Sequence, residues 1–152
     1  MEQKPLKIRW INPLSVADYD EPILNLLDSI KEKSTEIEVV SLNHNNSLSH
    51  LEYHSFEGLV TGDIVEIVRD ASLNGFDGVV IGCFYDVGLR EAREISGSTI
   101  VVAPCQASLQ VVSTIANRFS VLVGREKWIP RMHSNIVEYG YEQNLASFRS
   151  LN

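Results

Sequence analysis

The sequence predicts an α/β protein in which an open parallel sheet is flanked by helices on both faces. Short apolar runs rich in β-branched residues alternate with helical patterns along the chain, which is typical of β-α-β units. The run Val-Val-Ile at residues 79–81 is apolar at every position, as in a strand buried on both faces of a parallel sheet. Gly82 and Cys83 follow it directly, so a thiol is expected at the carboxyl end of a buried strand.

The composition is that of an ordinary soluble globular protein. The chain has 152 residues, of which 44% are hydrophobic and 22% charged, and this length can enclose a sizeable core. The net charge of −7, with no basic stripe, argues against a nucleic-acid partner. No apolar run approaches membrane-spanning length, and the first residues lack a signal-peptide core. With only two cysteines, we expect reduced thiols, a cytoplasmic location and no membrane partner.

Six strands and five helices are predicted in strict alternation. The expected strands are residues 6–12, 37–42, 79–81, 99–103, 119–124 and 145–150. The expected helices lie between them, over residues 21–30, 59–74, 86–95, 107–117 and 128–139. Such an order produces a parallel sheet, since each strand returns to the same edge through a helix.

For two of these helices, the sequence also predicts the residue that caps the helix, and for the first it predicts the apolar face. Asp18 or Asp20 is expected to cap the first helix, whose side chains at positions 23, 26, 27 and 30 share one apolar face. Asp86 is expected to cap the helix that follows Cys83. That helix start would lie beside the thiol, and unpaired helix N–H groups favour a thiolate.

Residues 43–57 form a polar connection rich in Asn, Ser and His that is long for a compact domain. We expect this segment to cover the site as a lid or to supply ligand contacts. His50 and His54 are four residues apart and could bind zinc on a helix, but Leu51 stands where a His-Glu-x-x-His motif needs glutamate. Loop histidines without a metal are the favoured interpretation.

Candidate site residues gather where the predicted strands end. They are Asn12 after the first strand, His54 in the long connection, Cys83 after the third strand, and Pro104 and Cys105 after the fourth. The bland alternative for Cys83 is a small buried apolar side chain. No Gly-x-Gly-x-x-Gly, Gly-Lys-Ser/Thr or Gly-x-Ser-x-Gly motif is present, so we expect no nucleotide cofactor, no metal and no serine nucleophile.

These segments resemble the hydantoin and allantoin racemase branch of the aspartate/glutamate racemase superfamily. The most specific match is residues 80–94, which begin Val-Ile-Gly-Cys-Phe-Tyr-Asp and contain Cys83. The resemblance continues through residues 11–13, 51–58, 103–108, 119–124 and 145–148.

The resemblance implies two similar α/β lobes and a cofactor-independent racemase or epimerase of a hydantoin-like or amino-acid-derived substrate. Cys83 would exchange the proton at the α-carbon, and the backbone N–H groups of Phe84 and Tyr85 would hold the enolate oxygen. Asn12 would orient the substrate, and His54, Pro104 and Cys105 would contact it. A homo-oligomer is expected.

The family's second catalytic cysteine, on the opposite side of the substrate carbon, lies beyond residue 152. We therefore expect residues 1–117 to form the first lobe and residues 118–152 the incomplete beginning of a second, in a truncated chain with little or no racemase turnover. Two alternatives stay open: a single-cysteine decarboxylase-like relative, and a non-catalytic lobe that binds a ligand or forms subunits.

Overall fold

The structure is a computed structural model that describes residues 4–42 and 48–152. It comprises two compact units, unit 1 (Met1–Ala103) and unit 2 (Pro104–Asn152). The division between these units falls before the helix that opens at Pro104. The lobe boundary expected after residue 117 stays a prediction. The helix belongs to unit 2 because its Cys105 and Leu109 are buried in one cluster with Ile136.

Unit 1 is built on a four-stranded parallel sheet with the strand order β2-β1-β3-β4. Its strands are β1 (Lys7–Asn12), β2 (Glu36–Ser41), β3 (Gly78–Ile81) and β4 (Ile100–Val102). β1 is hydrogen-bonded to β2 on one side and to β3 on the other. The predicted parallel α/β fold is therefore confirmed.

Three helices flank this sheet: α1 (Asp20–Ile30), α2 (His54–Leu73) and α3 (Leu89–Ile95). The Arg9 side chain bonds to Asp70 of α2, and the Asn12 side chain bonds to Asp20 of α1. Positions 9 and 12 of a strand point to opposite faces. Consequently α1 and α2 lie on opposite faces of the sheet, as the fold class requires.

The core of unit 1 lies between the sheet and α2. Most of its fully buried apolar side chains come from β1, β3 and α2; they are Ile11, Val79, Ile81, Val60, Ile64, Val68 and Ala71. The α2 members recur every three or four residues, which places them on one helical face. This face, applied to β1 and β3, is the main apolar contact that holds the sheet.

α1 forms where predicted, but its apolar face is not part of the core. None of its residues is buried, and Leu26 and Ile30 are 64% and 73% exposed. The expectation of an aspartate cap is also wrong, because the N-cap residue is Tyr19 and makes no side-chain capping bond. Asp20 is the first helical residue, and its carboxylate accepts hydrogen bonds from strand residues instead.

Unit 2 contains α4 (Pro104–Ile115), β5 (Phe119–Val123), α5 (Ile129–Glu138) and β6 (Leu145–Ser150). β5 and β6 pair in parallel, with an irregularity after Phe119. Cys105 and Leu109 of α4 and Ile136 of α5 are buried over this pair, against partly buried side chains that include Phe119 and Phe148. The predicted β-α-β order of this segment is therefore observed.

Within the described residues, no helix combines the length and the apolar composition that are needed to span a bilayer.

Arg9 joins three elements of unit 1 through its guanidinium group. Its Nε donates to Glu38 of β2 at 2.6 Å, and one Nη donates to Asp70 of α2 at 2.7 Å. The guanidinium also lies 4.3 Å above the ring of Phe76. Burial lowers the pKa of Arg9, but the hydrogen bonds to Asp70 and Glu38 outweigh it and raise that pKa above its ordinary value. Arg9 is therefore a charged clamp between the sheet and α2.

We predict that Arg9→Met lowers the free energy of unfolding by about 1–3 kcal/mol, since charge-assisted hydrogen bonds from a largely buried group are lost. Both carboxylate partners are about half exposed and regain water, which keeps the loss in this range. Urea denaturation measures it. The matched control is Arg69→Met, which breaks an exposed pair with Glu66 and should cost less than about 0.5 kcal/mol. Equal losses for the two variants would contradict the clamp.

Candidate active site

The candidate site lies at the carboxyl edge of the unit 1 sheet, between β1 and β3. From β1 the chain proceeds to β2 on one side, and from β3 it proceeds to β4 on the other. In open α/β sheets this reversal of strand order opens a crevice where ligands bind. Asn12 ends β1, and Gly82 and Cys83 follow β3 directly. The backbone N–H of Gly82 donates to the Ile11 carbonyl at 2.8 Å, which fixes the two strand ends side by side.

Gly82 has no space for a side chain. A Cβ placed there would lie 2.3 Å from Trp10 Nε1 and 2.8 Å from the Ile11 carbonyl oxygen. The second contact is with backbone of the paired strand, which cannot move without disturbing the sheet. Gly82 therefore permits the close approach of β1 and the indole ring immediately before Cys83.

Cys83 begins a tight turn at the end of β3. Its N–H donates to the Ile81 carbonyl at 2.8 Å, and its carbonyl accepts from the Asp86 N–H at 2.9 Å. The side chain is half-buried and packs against the main core of unit 1. Cys83 is thus held in a tight turn at the carboxyl end of β3 and remains partly exposed.

Asp86 is not the helix cap that the sequence predicts. It lies in the left-handed region, with φ of 52°, and is buried; the N-cap residue of α3 is Gly88. The helix starts at Leu89, six residues after Cys83, and has only 7 residues. The expected helix start beside the thiol is therefore wrong, because the chain makes a further turn at residues 84–88. The helix dipole no longer gives a reason for a thiolate at Cys83.

Asn12 lies beside this turn and is almost fully buried, with 4% of its surface exposed. Its side-chain nitrogen donates to the Val16 carbonyl at 3.1 Å, to Asp20 Oδ1 at 3.1 Å and to Ser41 Oγ at 2.9 Å. Ser41 Oγ in turn donates to Asp20 Oδ1 at 2.7 Å. These bonds connect the carboxyl ends of β1 and β2 with the first residue of α1.

The sequence analysis missed Ser41 and Asp20 as members of this edge. A signal was present for Ser41, because it ends the second strand just as Asn12 ends the first, and the two are paired in register. For Asp20, the sequence indicated a different role, that of a helix cap. Only the tertiary structure shows that its carboxylate is directed to the sheet.

The long connection before α2 is shorter than expected, since His54 to Glu57 form the first turn of that helix. Residues 43–47 of the predicted lid lie outside the described residues. Beyond them, Leu48 and Leu51 are buried, and the Leu48 carbonyl accepts from the Ser15 N–H at 2.9 Å. The end of this connection is therefore anchored beside the turn that follows β1.

His54 is at the start of α2, with its side chain 80% exposed and Nδ1 3.5 Å from the Glu57 carboxylate. His50 precedes the helix and lies against the rings of Tyr53 and Phe56. The two histidines therefore do not share a helical face. In the described part of the chain, no three His, Cys, Asp or Glu side chains are grouped closely enough to hold a metal ion.

Of the four remaining predicted site residues, two lie in unit 1 and two in unit 2. Phe84 is exposed and Tyr85 is buried in the turn after Cys83. Pro104 and Cys105 are not loop residues, because they form the first turn of α4 in unit 2. Cys105 is 1% exposed and is packed with Leu109 and Ile136. A contact of Pro104 or Cys105 with a substrate stays a prediction.

The family described as Asp/Glu/hydantoin racemase matches residues 8–152. The chain belongs to this family. The match includes β1 from Ile8 onward, the other five strands and the turn that carries Cys83, so the racemase family expected from the sequence is confirmed.

Individual members of the family share the fold as well as the sequence pattern. The hydantoin racemase of Rhizobium meliloti is 29% identical over 146 residues, which are 96% of this chain and 59% of that protein. The hydantoin racemase of Pseudomonas sp. (strain NS671) is 26% identical over 145 residues, 95% of this chain and 57% of that protein. The solved allantoin racemase from Klebsiella pneumoniae has a TM-score of 0.85 at 25% identity and is matched over 97% of this chain and 59% of its own. The chain thus spans about three fifths of the length of these relatives.

We predict that iodoacetamide alkylates Cys83 well before Cys105 in the folded protein, because Cys83 is half-buried and Cys105 almost wholly buried. Peptide mass mapping of a time course measures the order. In urea the two thiols should react at similar rates. Earlier alkylation of Cys105 under native conditions would contradict the assignment of Cys83 to an accessible crevice.

We further predict that Gly82→Ala destabilises the fold by about 1–3 kcal/mol through overpacking against the Ile11 carbonyl and Trp10. The matched control is Gly62→Ala on α2, where a Cβ meets nothing within 4 Å. That variant should gain up to about 1 kcal/mol from helix propensity. Thermal unfolding followed by circular dichroism measures both changes. A neutral Gly82→Ala would show that the strand ends are not in close contact.

Proposed function

We propose that this chain carries the proton-transfer site of a cofactor-independent racemase or epimerase that acts on a hydantoin-like cyclic ureide or an amino-acid derivative. The observation that supports it most is the place of Cys83: a half-buried thiol at the β1/β3 crevice of a chain that belongs to a racemase family. The names of the relatives supply the substrate class. A cytoplasmic location and a homo-oligomer are part of the same proposal.

In the proposed reaction the Cys83 thiolate removes the proton from the substrate carbon next to a carbonyl. The C–H bond breaks, its electron pair moves into the carbonyl group, and an enolate forms while sulfur becomes a neutral thiol. The same thiol then returns a proton to carbon and regenerates the thiolate. No electron leaves the substrate, so the step needs neither an oxidant nor a reductant.

The turn after Cys83 supplies a place for the enolate oxygen. The backbone N–H groups of Phe84 and Tyr85 follow the thiol directly, and we assign them as donors to the developing oxyanion. Such a donor typically contributes about 3 kcal/mol of transition-state stabilisation. Gly82 supports this arrangement because it lets the turn begin directly at the end of β3.

Asn12 and His54 complete the proposed site. Asn12 follows Ile11, whose carbonyl accepts from the N–H of Gly82 directly before Cys83, and we assign the Asn12 side chain to orient the substrate. His54, at the exposed start of α2, is assigned an outer contact that also closes the site. We assign neither residue a proton transfer.

A single thiol delivers protons to one face of the substrate carbon. The other cysteine of the chain, Cys105, is buried in the apolar cluster of unit 2, and we assign it no acid or base role. Racemisation requires delivery to the opposite face as well. A polypeptide of these 152 residues is therefore expected to exchange the α-proton with solvent and to retain the configuration.

We predict that the 152-residue protein in D₂O replaces the C5 proton of an optically pure 5-substituted hydantoin with deuterium, while optical rotation is nearly unchanged. Proton NMR measures the exchange and polarimetry measures the configuration, each against a blank without protein. Cys83→Ser should slow the exchange by at least about 100-fold, the usual contribution of a positioned acid–base group. Cys105→Ala, if folded, should retain it.

Each other outcome identifies an alternative. Exchange accompanied by racemisation would show a second proton donor within these residues and would contradict one-face chemistry. Binding of the hydantoin without exchange would support a ligand-binding lobe that is not catalytic. Exchange that survives Cys83→Ser would remove Cys83 from the mechanism.

A further inference from the structure

We infer that Ser41 and Asp20 are positioning residues for Asn12: they fix its side-chain amide so that the carbonyl oxygen, and not the nitrogen, is offered to a ligand. The inference rests on the proposed function for the identity of that ligand. The orientation of Asn12 does not depend on the proposed function, because the contacts within unit 1 determine it.

The side-chain nitrogen of Asn12 is surrounded by oxygen atoms from three segments. They are the Val16 carbonyl at 3.1 Å, Asp20 Oδ1 at 3.1 Å and Ser41 Oγ at 2.9 Å. Two of these are acceptors only, because neither a backbone carbonyl nor a carboxylate carries a proton to donate. An amide oxygen in that place would face two acceptors without a hydrogen bond.

The neighbouring acceptors therefore determine which branch of the Asn12 amide is the nitrogen and which is the oxygen. The amino group lies among the acceptors, and the oxygen, on the other branch of the planar amide, points away from them. Within the described residues, every hydrogen bond recorded for this side chain is donated by its nitrogen.

Ser41 contributes more than one acceptor. Its hydroxyl donates to Asp20 Oδ1 at 2.7 Å while its oxygen accepts from Asn12. The direction of the chain is thus Asn12 to Ser41 to Asp20, and it ends on a carboxylate that accepts from both. A chain that ends on an ion strengthens each bond in it and resists reversal. Since Asn12 and Ser41 are register partners on β1 and β2, the sheet holds them together.

A ligand at this edge is expected to meet Asn12 as an acceptor. A ring N–H, as in the ureide group of a hydantoin, satisfies that oxygen, whereas a carboxylate cannot form a hydrogen bond with the Asn12 oxygen. A carboxylate would also approach the charge of Asp20. The orientation of Asn12 therefore favours ligands with a neutral N–H donor over ligands with an acidic group.

The first test measures orientation without a ligand, in the full 152-residue protein. The Asn12 side-chain amide signals are assigned in ¹⁵N-resolved NMR by their loss in Asn12→Asp. Their exchange with water should accelerate at least about threefold in Ser41→Ala, because one acceptor is removed and Asp20 is no longer bridged. Ser41→Thr, which keeps the hydroxyl, should restore slow exchange. Ser29→Ala removes an exposed hydroxyl from α1 outside this network and should leave the signals unchanged.

The second test measures binding of unsubstituted hydantoin by chemical-shift titration. Ser41→Ala should weaken binding by about 2- to 10-fold, the usual range for one neutral hydrogen bond, while Ser29→Ala leaves it unchanged. Asp20→Asn keeps a carbonyl acceptor and should have a smaller effect than Asp20→Ala. Urea denaturation of each variant shows whether a loss of binding reflects a loss of folding.

The outcomes separate this inference from the proposed function. Unchanged Asn12 amide exchange in Ser41→Ala would overturn the positioning role, whatever the ligand. If the natural sequence does not bind hydantoin while the amide exchange responds as expected, the positioning role stands and the proposed substrate is wrong. Should Ser41→Ala fail to fold, Asp20→Ala provides the comparison, because it removes the carboxylate that accepts from both Asn12 and Ser41. Unchanged Asn12 amide exchange in folded Asp20→Ala would contradict the inference.

Discussion

The double pairing of β1, with β2 on one side and β3 on the other, is the constraint on which the rest of unit 1 depends. It places Ser41 beside Asn12, and the Ile11 carbonyl beside Gly82, at one edge of the sheet. It also decides which helix reaches which face, because alternate residues of β1 anchor α2 through Arg9 and α1 through Asn12. Through Arg9 and Asn12, β1 therefore links the core and the charged clamp with the candidate site.

Most of the fold could be predicted from local patterns. β3 was identifiable because a run of β-branched apolar residues is typical of a buried parallel strand. Val79 and Ile81, which share one face, are fully buried, whereas Val80 on the other face is only partly buried. α1 was correct in position but wrong in burial. Helical spacing of apolar residues shows that they share a face, yet whether another element covers that face depends on tertiary contacts.

The places of Cys83 and Asn12 at strand ends could be predicted, but the contacts around them could not. Cys83 and Asn12 follow from strand ends, which the sequence reveals. The turn at Asp86 does not, since a left-handed aspartate followed by Gly88 can be recognised only from backbone geometry. For the same reason Asp20 was interpreted through its local role as a cap, although its carboxylate bonds to Asn12 and Ser41 across the sequence. Interactions between distant residues prevail over local preference here.

Because α1 is exposed, the orientation of Asn12 in the candidate site depends on whether this helix stays folded. A helix without a buried residue is held by few apolar contacts, so its local opening requires less free energy than opening of α2 or β3. Asp20 belongs to this helix and accepts the bonds that orient Asn12. Each local unfolding of α1 would therefore release the amide while the core stays intact. The lifetime of a correctly oriented Asn12 is then limited by the local stability of α1, and a ligand that binds the oriented amide would in return protect α1 from unfolding.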